Sequence, residues 1–275
     1  MIELFESDIK TNDRQSSKGN QLKWFNNDIW YKADYTGYEG LVEYTISKLL
    51  AFMGLDSSEY VIYTPVEIKY NEKVFRGVSS KNFLHDTWQV ITLERLFQNY
   101  YGRSLNNAIW SIKEPKERLK FLVEKTIEIT GLKEFGKYMN KILTIDAFFL
   151  NEDRHTHNLA VLMNDKNEFA YCPIFDNGAG LLADINLDYP MGGDIYKYID
   201  SVKAKTFSTS FDEQLDISEV LYGTNIKISF TKKDVLDILA LNNNTNDSII
   251  YPLEERIRVR DIIFEQMRKY NYLFW

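Results

Sequence analysis

The pattern of apolar and polar positions in the first 84 residues is mostly that of β-strands, with one helix. Four runs in this region are interpreted as strands: two short aromatic runs, 24–25 and 29–31, and two longer runs, 60–70 and 73–79. The turn-forming residues Asn26-Asn27-Asp28 separate the first two runs and predict a β-hairpin. Asn71-Glu72 joins the other two runs in a similar way. Between the two pairs, residues 41–51 place apolar side chains at helical spacing and predict a helix.

The rest of the chain has mainly helical spacing of its apolar positions. The predicted helices are 115–129, 133–150 and 253–272. Pro115 in the first turn and Gly131 just past the end are typical helix boundaries. The helix 133–150 is apolar on most sides near its end, so we expect it at the centre of a core. The pattern predicts an α+β protein with a small β-rich lobe, 1–84, and a larger helical lobe, 85–275.

Composition narrows the classes of protein that fit this pattern. The 275 residues carry 33 basic and 40 acidic side chains, a net charge of −7, which disfavours nonspecific binding to nucleic acid. The single cysteine, Cys172, excludes an intramolecular disulfide. We see no signal-peptide pattern and no apolar run of about 18 residues. We therefore expect a cytoplasmic protein with no direct nucleic-acid partner and no membrane segment.

A polar stretch directly after the buried helix carries the most informative chemistry. It contains Asp153 and Asn158 and opens a second predicted hairpin, whose turn is Asn164-Asp165-Lys166-Asn167. The second strand, 169–173, leads to Asp176-Asn177-Gly178. Because a hairpin returns the chain to its starting edge, we expect Asn158 and Asp176 to be neighbours.

Amide and carboxylate oxygens are hard ligands that suit Mg²⁺, which combines few protein ligands with substrate phosphates. Asp153 would then be available to orient or deprotonate a hydroxyl nucleophile. This division of roles is that of phosphoryl transfer. Each motif alone also occurs by chance, and Asp-Asn-Gly is a common turn sequence. Their order around one hairpin favours the functional interpretation; His155 is interpreted as a residue that braces the loop.

These residues resemble a known family. Asn151-x-Asp153-Arg154-His155-x-x-Asn158, followed by Asp176-Asn177-Gly178, is similar to the signature of HipA-like serine/threonine kinases. The Asp-Arg-His-x-x-Asn core is also similar to that of phosphatidylinositol kinases. Further similarity lies in three segments: 38–44, 204–208 and 211–215. The resemblance implies a bilobal protein-kinase-like fold.

The resemblance implies roles for three residues of the central motifs. Asp153 corresponds to the catalytic aspartate that orients the substrate hydroxyl and accepts its proton. Asn158 and Asp176 correspond to the Mg²⁺ ligands.

The resemblance also implies a lysine that contacts the nucleotide phosphates, and Lys32 matches it. Without Asp153 and Asp176, a solvated strand lysine would be the better interpretation of Lys32. Glu43 on the following helix is the expected partner of this lysine, with Glu39 as the alternative.

A phosphate-binding loop is expected just before the lysine strand. Its candidate residues are Ser17, Lys18, Gly19, Asn20 and Lys23. The loop has one glycine, but backbone N–H groups of a small-residue turn can still bind phosphates. In the family a serine of this loop is autophosphorylated, which silences the enzyme; Ser16 and Ser17 are the candidates here, and ordinary loop serines are the alternative.

The expected function is that of an ATP- and Mg²⁺-dependent kinase acting on serine or threonine hydroxyls of a protein, with ATP between the lobes. Lys32 lies too early in the chain for the extra N-terminal subdomain of larger HipA toxins, so we expect the short, stand-alone form. The partners implied are ATP, a protein substrate, and an antitoxin or other regulatory protein. Two alternatives are a lipid or small-molecule phosphotransferase and a nucleotide-binding pseudokinase that serves as an interaction module.

Overall fold

The computed structural model describes residues 1–10, 21–242 and 249–275. By their contacts, these residues form two compact units. The first unit consists of Met1–Asn82, Phe175–Val202 and Lys227–Trp275, and the second of Phe83–Ile174 and Lys203–Ile226. Each unit therefore combines segments that are distant in sequence. The division into lobes 1–84 and 85–275 stays a prediction.

The strands and helices are distributed over both units. The strands are β1 Ile2–Glu3, β2 Lys23–Asn26, β3 Ile29–Ala33, β4 Thr64–Tyr70, β5 Lys73–Lys81, β6 Trp88–Thr92, β7 Ala160–Asn164 and β8 Phe169–Tyr171. The α-helices are α1 Glu39–Leu50, α2 Leu93–Tyr101, α3 Leu105–Ser111, α4 Pro115–Thr130, α5 Phe135–Phe149, α6 Ile195–Ser201, α7 Phe211–Tyr222, α8 Lys232–Ile238 and α9 Leu253–Lys269. No helix of the described ranges is both long and apolar enough to cross a membrane.

The first unit contains a sheet with the strand order β1-β4-β5-β3-β2. β1 runs parallel to β4, and the other neighbours are antiparallel. The predicted hairpin is confirmed: β2 and β3 are joined by Asn27 and Asp28, whose φ angles of 50° and 62° suit a tight hairpin turn. The register places Lys32 opposite Lys23 on one side and Val78 on the other.

The alternation along β3 directs neighbouring side chains to opposite faces of the sheet. Tyr31 and Ala33 belong to a buried apolar cluster with Leu4, Trp24 and Ile68. Lys32 lies between Tyr31 and Ala33 in the strand, so its side chain projects from the opposite face. Helix α1 contacts the neighbouring strands β4 and β5 of this sheet.

The start of α1 is fixed by two carboxylates. The Glu39 carboxylate accepts hydrogen bonds from the backbone N–H groups of Tyr35, Thr36 and Gly37. Oδ1 of Asp34 accepts one from the N–H of Gly40 at 2.7 Å. Gly40 lies in the first turn of α1, where N–H groups lack helical partners, so its bond to Asp34 stabilises the helix start, while the Glu39 bonds hold the segment just before the helix.

The second unit contains the three-stranded sheet β6-β7-β8 and five helices of the described chain, α2 to α5 and α7. The predicted β7–β8 hairpin is confirmed. Helix α5 is buried along nearly its whole length, as its apolar sequence predicts. Helix α4 ends at Gly131, which takes a left-handed φ of 72°, also as predicted.

The sequence prediction was wrong in several details. β4 begins at Thr64 and not at residue 60, because the Tyr63 N–H donates to the Ser47 hydroxyl and not to a strand partner. β8 ends at Tyr171 and not at Pro173, which has no N–H for a sheet. α9 ends at Lys269, three residues early, and a short 3₁₀ helix follows. The prediction also omitted two strands and five helices: β1, β6, α2, α3, α6, α7 and α8.

The burial of Asp34 predicts that the stability of the protein depends on pH. Burial raises the pKa of Asp34 to about 7, and the Glu39 carboxylate adds to the effect, while the Gly40 N–H and Arg76 oppose it. The folded state therefore favours the protonated carboxyl, and this contribution to stability is lost as the pH rises through about 7. Between pH 6 and pH 8 we expect the free energy of unfolding to fall by about 1 kcal/mol from this group.

Asp34→Asn is expected to remove that dependence, because the carboxamide does not titrate. Urea unfolding at pH 6, 7 and 8 measures the effect, with the exposed Asp56→Asn as the matched control. If Asp34→Asn kept the pH dependence of the wild type, another group would have to be responsible.

Candidate active site

The candidate residues fall into two groups, one in each unit. Lys32, Glu43, Tyr63 and Asp176 belong to the first unit, and we call them the lysine cluster. Residues 151–158 belong to the second unit, and we call them the polar loop. Asn158 and Asp176 thus lie in different units, and their predicted proximity stays a prediction.

The ammonium group of Lys32 is the centre of the lysine cluster. Its Nζ lies 2.9 Å from Oε1 of Glu43 and 2.9 Å from Oδ1 of Asp176. It also donates to the hydroxyl of Tyr63 at 3.4 Å and lies 5.2 Å from the centroid of that ring. The three N–H bonds of the ammonium thus have three acceptors.

Three parts of the first unit supply these side chains. Lys32 comes from β3, Glu43 from the second turn of α1, and Asp176 from the segment after β8. Glu43 connects α1 to the segment after β8, because its Oε2 accepts a hydrogen bond from the N–H of Asn177 at 3.1 Å. Gly178 allows the close approach of this segment, since a Cβ atom there would lie 3.3 Å from the side chains of Glu39 and Glu43.

Burial makes these interactions electrostatically strong. Glu43 is 2% exposed and Tyr63 is 3% exposed. Burial by itself lowers the pKa of Lys32, but the charges of Asp176 and Glu43 outweigh it and raise that pKa well above its usual value. Burial, assisted by the Glu43 charge, raises the pKa of Tyr63. Lys32 is therefore a permanent cation and Tyr63 a neutral hydroxyl.

The other candidates from the N-terminal part of the chain have different environments. Glu39, the alternative partner of Lys32, instead holds the N–H groups before α1. Lys23 pairs with Lys32 across the hairpin and is half-buried. Five candidates lie outside the described residues: Ser16, Ser17, Lys18, Gly19 and Asn20.

A buried ion pair organises the polar loop. Nε of Arg154 lies 3.0 Å from Oδ2 of Asp146, which comes from the last turn of α5, and its Nη2 lies 3.1 Å from Oδ1. Asn151 donates to the same carboxylate at 3.0 Å. Nη1 of Arg154 donates to the carbonyl oxygen of Asn158 at 3.3 Å. The pair therefore connects the buried helix to both ends of the loop.

Asp153 lies beside two basic groups of the second unit. Its Oδ1 is 3.8 Å from Nε2 of His155 and 4.0 Å from Nζ of Lys205. The amide nitrogen of Asn158 donates to the carbonyl oxygen of Asp153 at 2.8 Å. The amide nitrogen of Asn158 is therefore bonded within the loop, and its amide oxygen takes no part in this bond.

Asp176 carries a carboxylate and Asn158, in the other unit, an amide oxygen, and each is a hard donor of the type that Mg²⁺ prefers. The bond from the Asn158 nitrogen to the loop backbone leaves its oxygen as the end that can bind a cation. Asp176 has a left-handed φ of 61°, a conformation uncommon for residues other than glycine.

Sequence reasoning missed three residues of these groups. Asp146 lies in the predicted apolar helix 133–150, and a charged residue in a buried helix requires a buried partner. That signal could have led to Arg154. Tyr63 has no comparable signal, because its role depends on a contact with a residue far away in sequence, and Lys205 is indicated only as part of the similar segment 204–208.

No protein-family model and no curated protein matches this chain. Among solved structures, the chain is similar to the crystal structure of a Helicobacter pylori proinflammatory kinase, CtkA. The TM-score is 0.57 at 15% sequence identity, and the alignment covers 98% of this chain and 94% of that chain. The predicted α+β, bilobal kinase-like fold is therefore confirmed.

The Asp146–Arg154 pair yields a prediction about stability. Both side chains are almost fully buried, at 1% and 3% exposure, and burial raises the pKa of Asp146 while Arg154 opposes that rise. Arg154→Met leaves the carboxylate without its cation, and we expect a loss of about 3–5 kcal/mol in the free energy of unfolding. Urea denaturation measures this loss.

Two further variants show whether the loss comes from the unpaired charge. Asp146→Leu combined with Arg154→Met removes both charges and should recover much of the stability. Arg268→Met removes an arginine from an exposed pair with Glu265 and should cost less than about 1 kcal/mol. Equal losses in Arg154→Met and Arg268→Met would contradict the prediction.

Proposed function

We propose that this chain is an ATP- and Mg²⁺-dependent kinase that transfers the γ-phosphoryl group to serine or threonine hydroxyls of a protein. The observation that carries the proposal is the position of Lys32, with its Nζ at 2.9 Å from Glu43 and from Asp176. Protein kinases use the same combination: a strand lysine, a helix glutamate and a metal-binding aspartate. The kinase-like fold and the similarity to a structure described as a kinase support it.

The proposal gives each candidate residue one role. Lys32 binds nucleotide phosphates, and Glu43 orients Lys32 through the 2.9 Å ion pair. Asp153 accepts the proton of the acceptor hydroxyl. Asp176 and Asn158 would hold Mg²⁺, which would offset the charge of the phosphates. Phosphate-binding roles for Ser17, Lys18, Gly19, Asn20 and Lys23 also remain part of the proposal.

The family proposed is that of the HipA-like kinases, in their short form. The motif Asp153-Arg154-His155-x-x-Asn158 and the later Asp176-Asn177-Gly178 support it. The proposal requires a protein substrate. The resemblance to the family also implies an antitoxin or another regulatory protein as a partner. We propose the cytoplasm as the location, because ATP is available there.

The catalytic proposal predicts a loss of phosphotransfer in Asp153→Asn. The carboxamide cannot accept the hydroxyl proton, so we expect transfer of ³²P from [γ-³²P]ATP to fall by at least about 10²-fold. Lys32→Met and Asp176→Asn should lose transfer as well, through phosphate and metal binding. Asp165→Asn, in the exposed turn between β7 and β8, is the matched control.

The same assay separates the alternatives. Full activity in Asp153→Asn would contradict the assigned role. A wild-type chain that is stabilised thermally by Mg·ATP but transfers no phosphate would be a pseudokinase. Transfer to phosphatidylinositol or a small alcohol, and not to protein, would identify the other class of phosphotransferase.

Autophosphorylation gives a separate prediction for Ser16 and Ser17. After incubation with Mg·ATP, mass spectrometry should find phosphate on the peptide that contains these serines. The double variant Ser16→Ala/Ser17→Ala should lack this modification, and so should Asp153→Asn. Phosphate at the same site in Asp153→Asn would show that a contaminating kinase is responsible.

A further inference from the structure

We propose that Lys205 is a catalytic residue of this phosphotransfer, with its ammonium group placed to contact the phosphoryl group as it passes to the acceptor. This inference rests on the proposed function. Its starting point is the distance of 4.0 Å between Nζ of Lys205 and Oδ1 of Asp153. The Asp153 side chain is 12% exposed and the Lys205 side chain 42%, so the lysine is the accessible member of the pair.

The chain directly after Lys205 is held in place. The hydroxyl of Thr206, which is 1% exposed, donates to the carbonyl oxygen of Arg154 at 2.8 Å. The N–H of Phe207 donates to the side chain of Gln214 at 2.9 Å, and Arg118 donates to the Phe207 carbonyl oxygen at 2.9 Å. Lys205 therefore projects from a fixed segment that is bonded directly to the polar loop.

Stability does not explain this placement. A partly exposed ion pair at 4.0 Å contributes little to the free energy of folding, because water screens it and two side chains lose freedom. Thr206 and Phe207 already attach the segment through hydrogen bonds. What Lys205 adds is a mobile positive charge at Asp153, the proposed proton acceptor.

The position of that charge suits the transferred group. A hydroxyl that gives its proton to Asp153 must lie within about 3 Å of the carboxylate. The phosphorus atom it attacks then lies within reach of the Lys205 ammonium, whose four-carbon stem is flexible.

The transfer itself balances with the groups named. A bond forms between the acceptor oxygen and the γ-phosphorus, and the bond from that phosphorus to the β–γ bridging oxygen breaks. The electron pair leaves with the nucleoside diphosphate, and the hydroxyl proton goes to Asp153. The Lys205 charge stabilises the phosphoryl oxygens during this exchange without changing its own protonation.

Lys205→Met tests the proposal, because methionine keeps the length of the side chain and removes the charge. Lys203→Met is the matched control: it makes the same change of net charge two residues earlier, at an exposed lysine that forms no ion pair with the described residues. Single-turnover transfer from [γ-³²P]ATP is measured to the chain itself and to dephosphorylated casein. Affinity for Mg·AMP-PNP and the Tm are measured in parallel.

We expect Lys205→Met to slow transfer by about 10²-fold while nucleotide affinity stays within about threefold and the Tm within about 2 °C. Lys205→Arg should retain a rate within about tenfold of the wild type, and Lys203→Met should be unchanged.

If the wild-type chain is active, three outcomes would overturn the role of Lys205 and leave the proposed function intact. They are a normal rate in Lys205→Met, an equal loss in Lys203→Met, or a loss of rate that follows a loss of Tm or nucleotide affinity. A wild-type chain that transfers phosphate to neither acceptor would overturn the proposed function, and the role of Lys205 with it.

Discussion

The burial of the Lys32 ammonium is the constraint on which the functional side chains of the first unit depend. A buried charge is tolerated only where charged and polar groups surround it. Lys32 obtains its partners from α1 and from a segment 144 positions along the chain, at Asp176. One nitrogen atom therefore fixes the relative positions of a strand, a helix and the segment after β8. Glu43 strengthens this arrangement, because its second oxygen holds the backbone of Asn177.

A buried charge also determines the local structure of the second unit. Asp146 is buried in α5, and its charge requires the cation of Arg154. This requirement draws the polar loop onto the end of the helix and gives Arg154 a structural role. Asp153, the preceding residue, keeps some exposure and lies beside Lys205, which is accessible. Adjacent residues of one motif therefore have different environments: Arg154 is buried and orders the loop, and Asp153 lies beside two basic groups.

The sequence predicted much of the fold where local signals were strong. The turn after Asn26 and the helix boundaries at Pro115 and Gly131 depend on neighbouring residues, so they can be recognised without a structure. Strand β6 could not, because its partner β7 lies about 70 positions later and only tertiary pairing makes it a strand. Similarly, the motifs indicated Asp153 and Asp176, but Tyr63 reaches Lys32 from 31 positions away and carries no motif.

The saturation of the Lys32 ammonium has a consequence for any anion that approaches it. With three N–H bonds and three protein acceptors, the group can gain a new partner only by giving up an old one. An anion that binds Lys32 must then replace one of its present acceptors. Its affinity depends on the difference in free energy between the new contact and the contact that is lost. Of the two carboxylates bound to Lys32, that of Asp176 is the more accessible, with 27% side-chain exposure against 3% for Glu43. An incoming anion would therefore displace Asp176 more readily than Glu43.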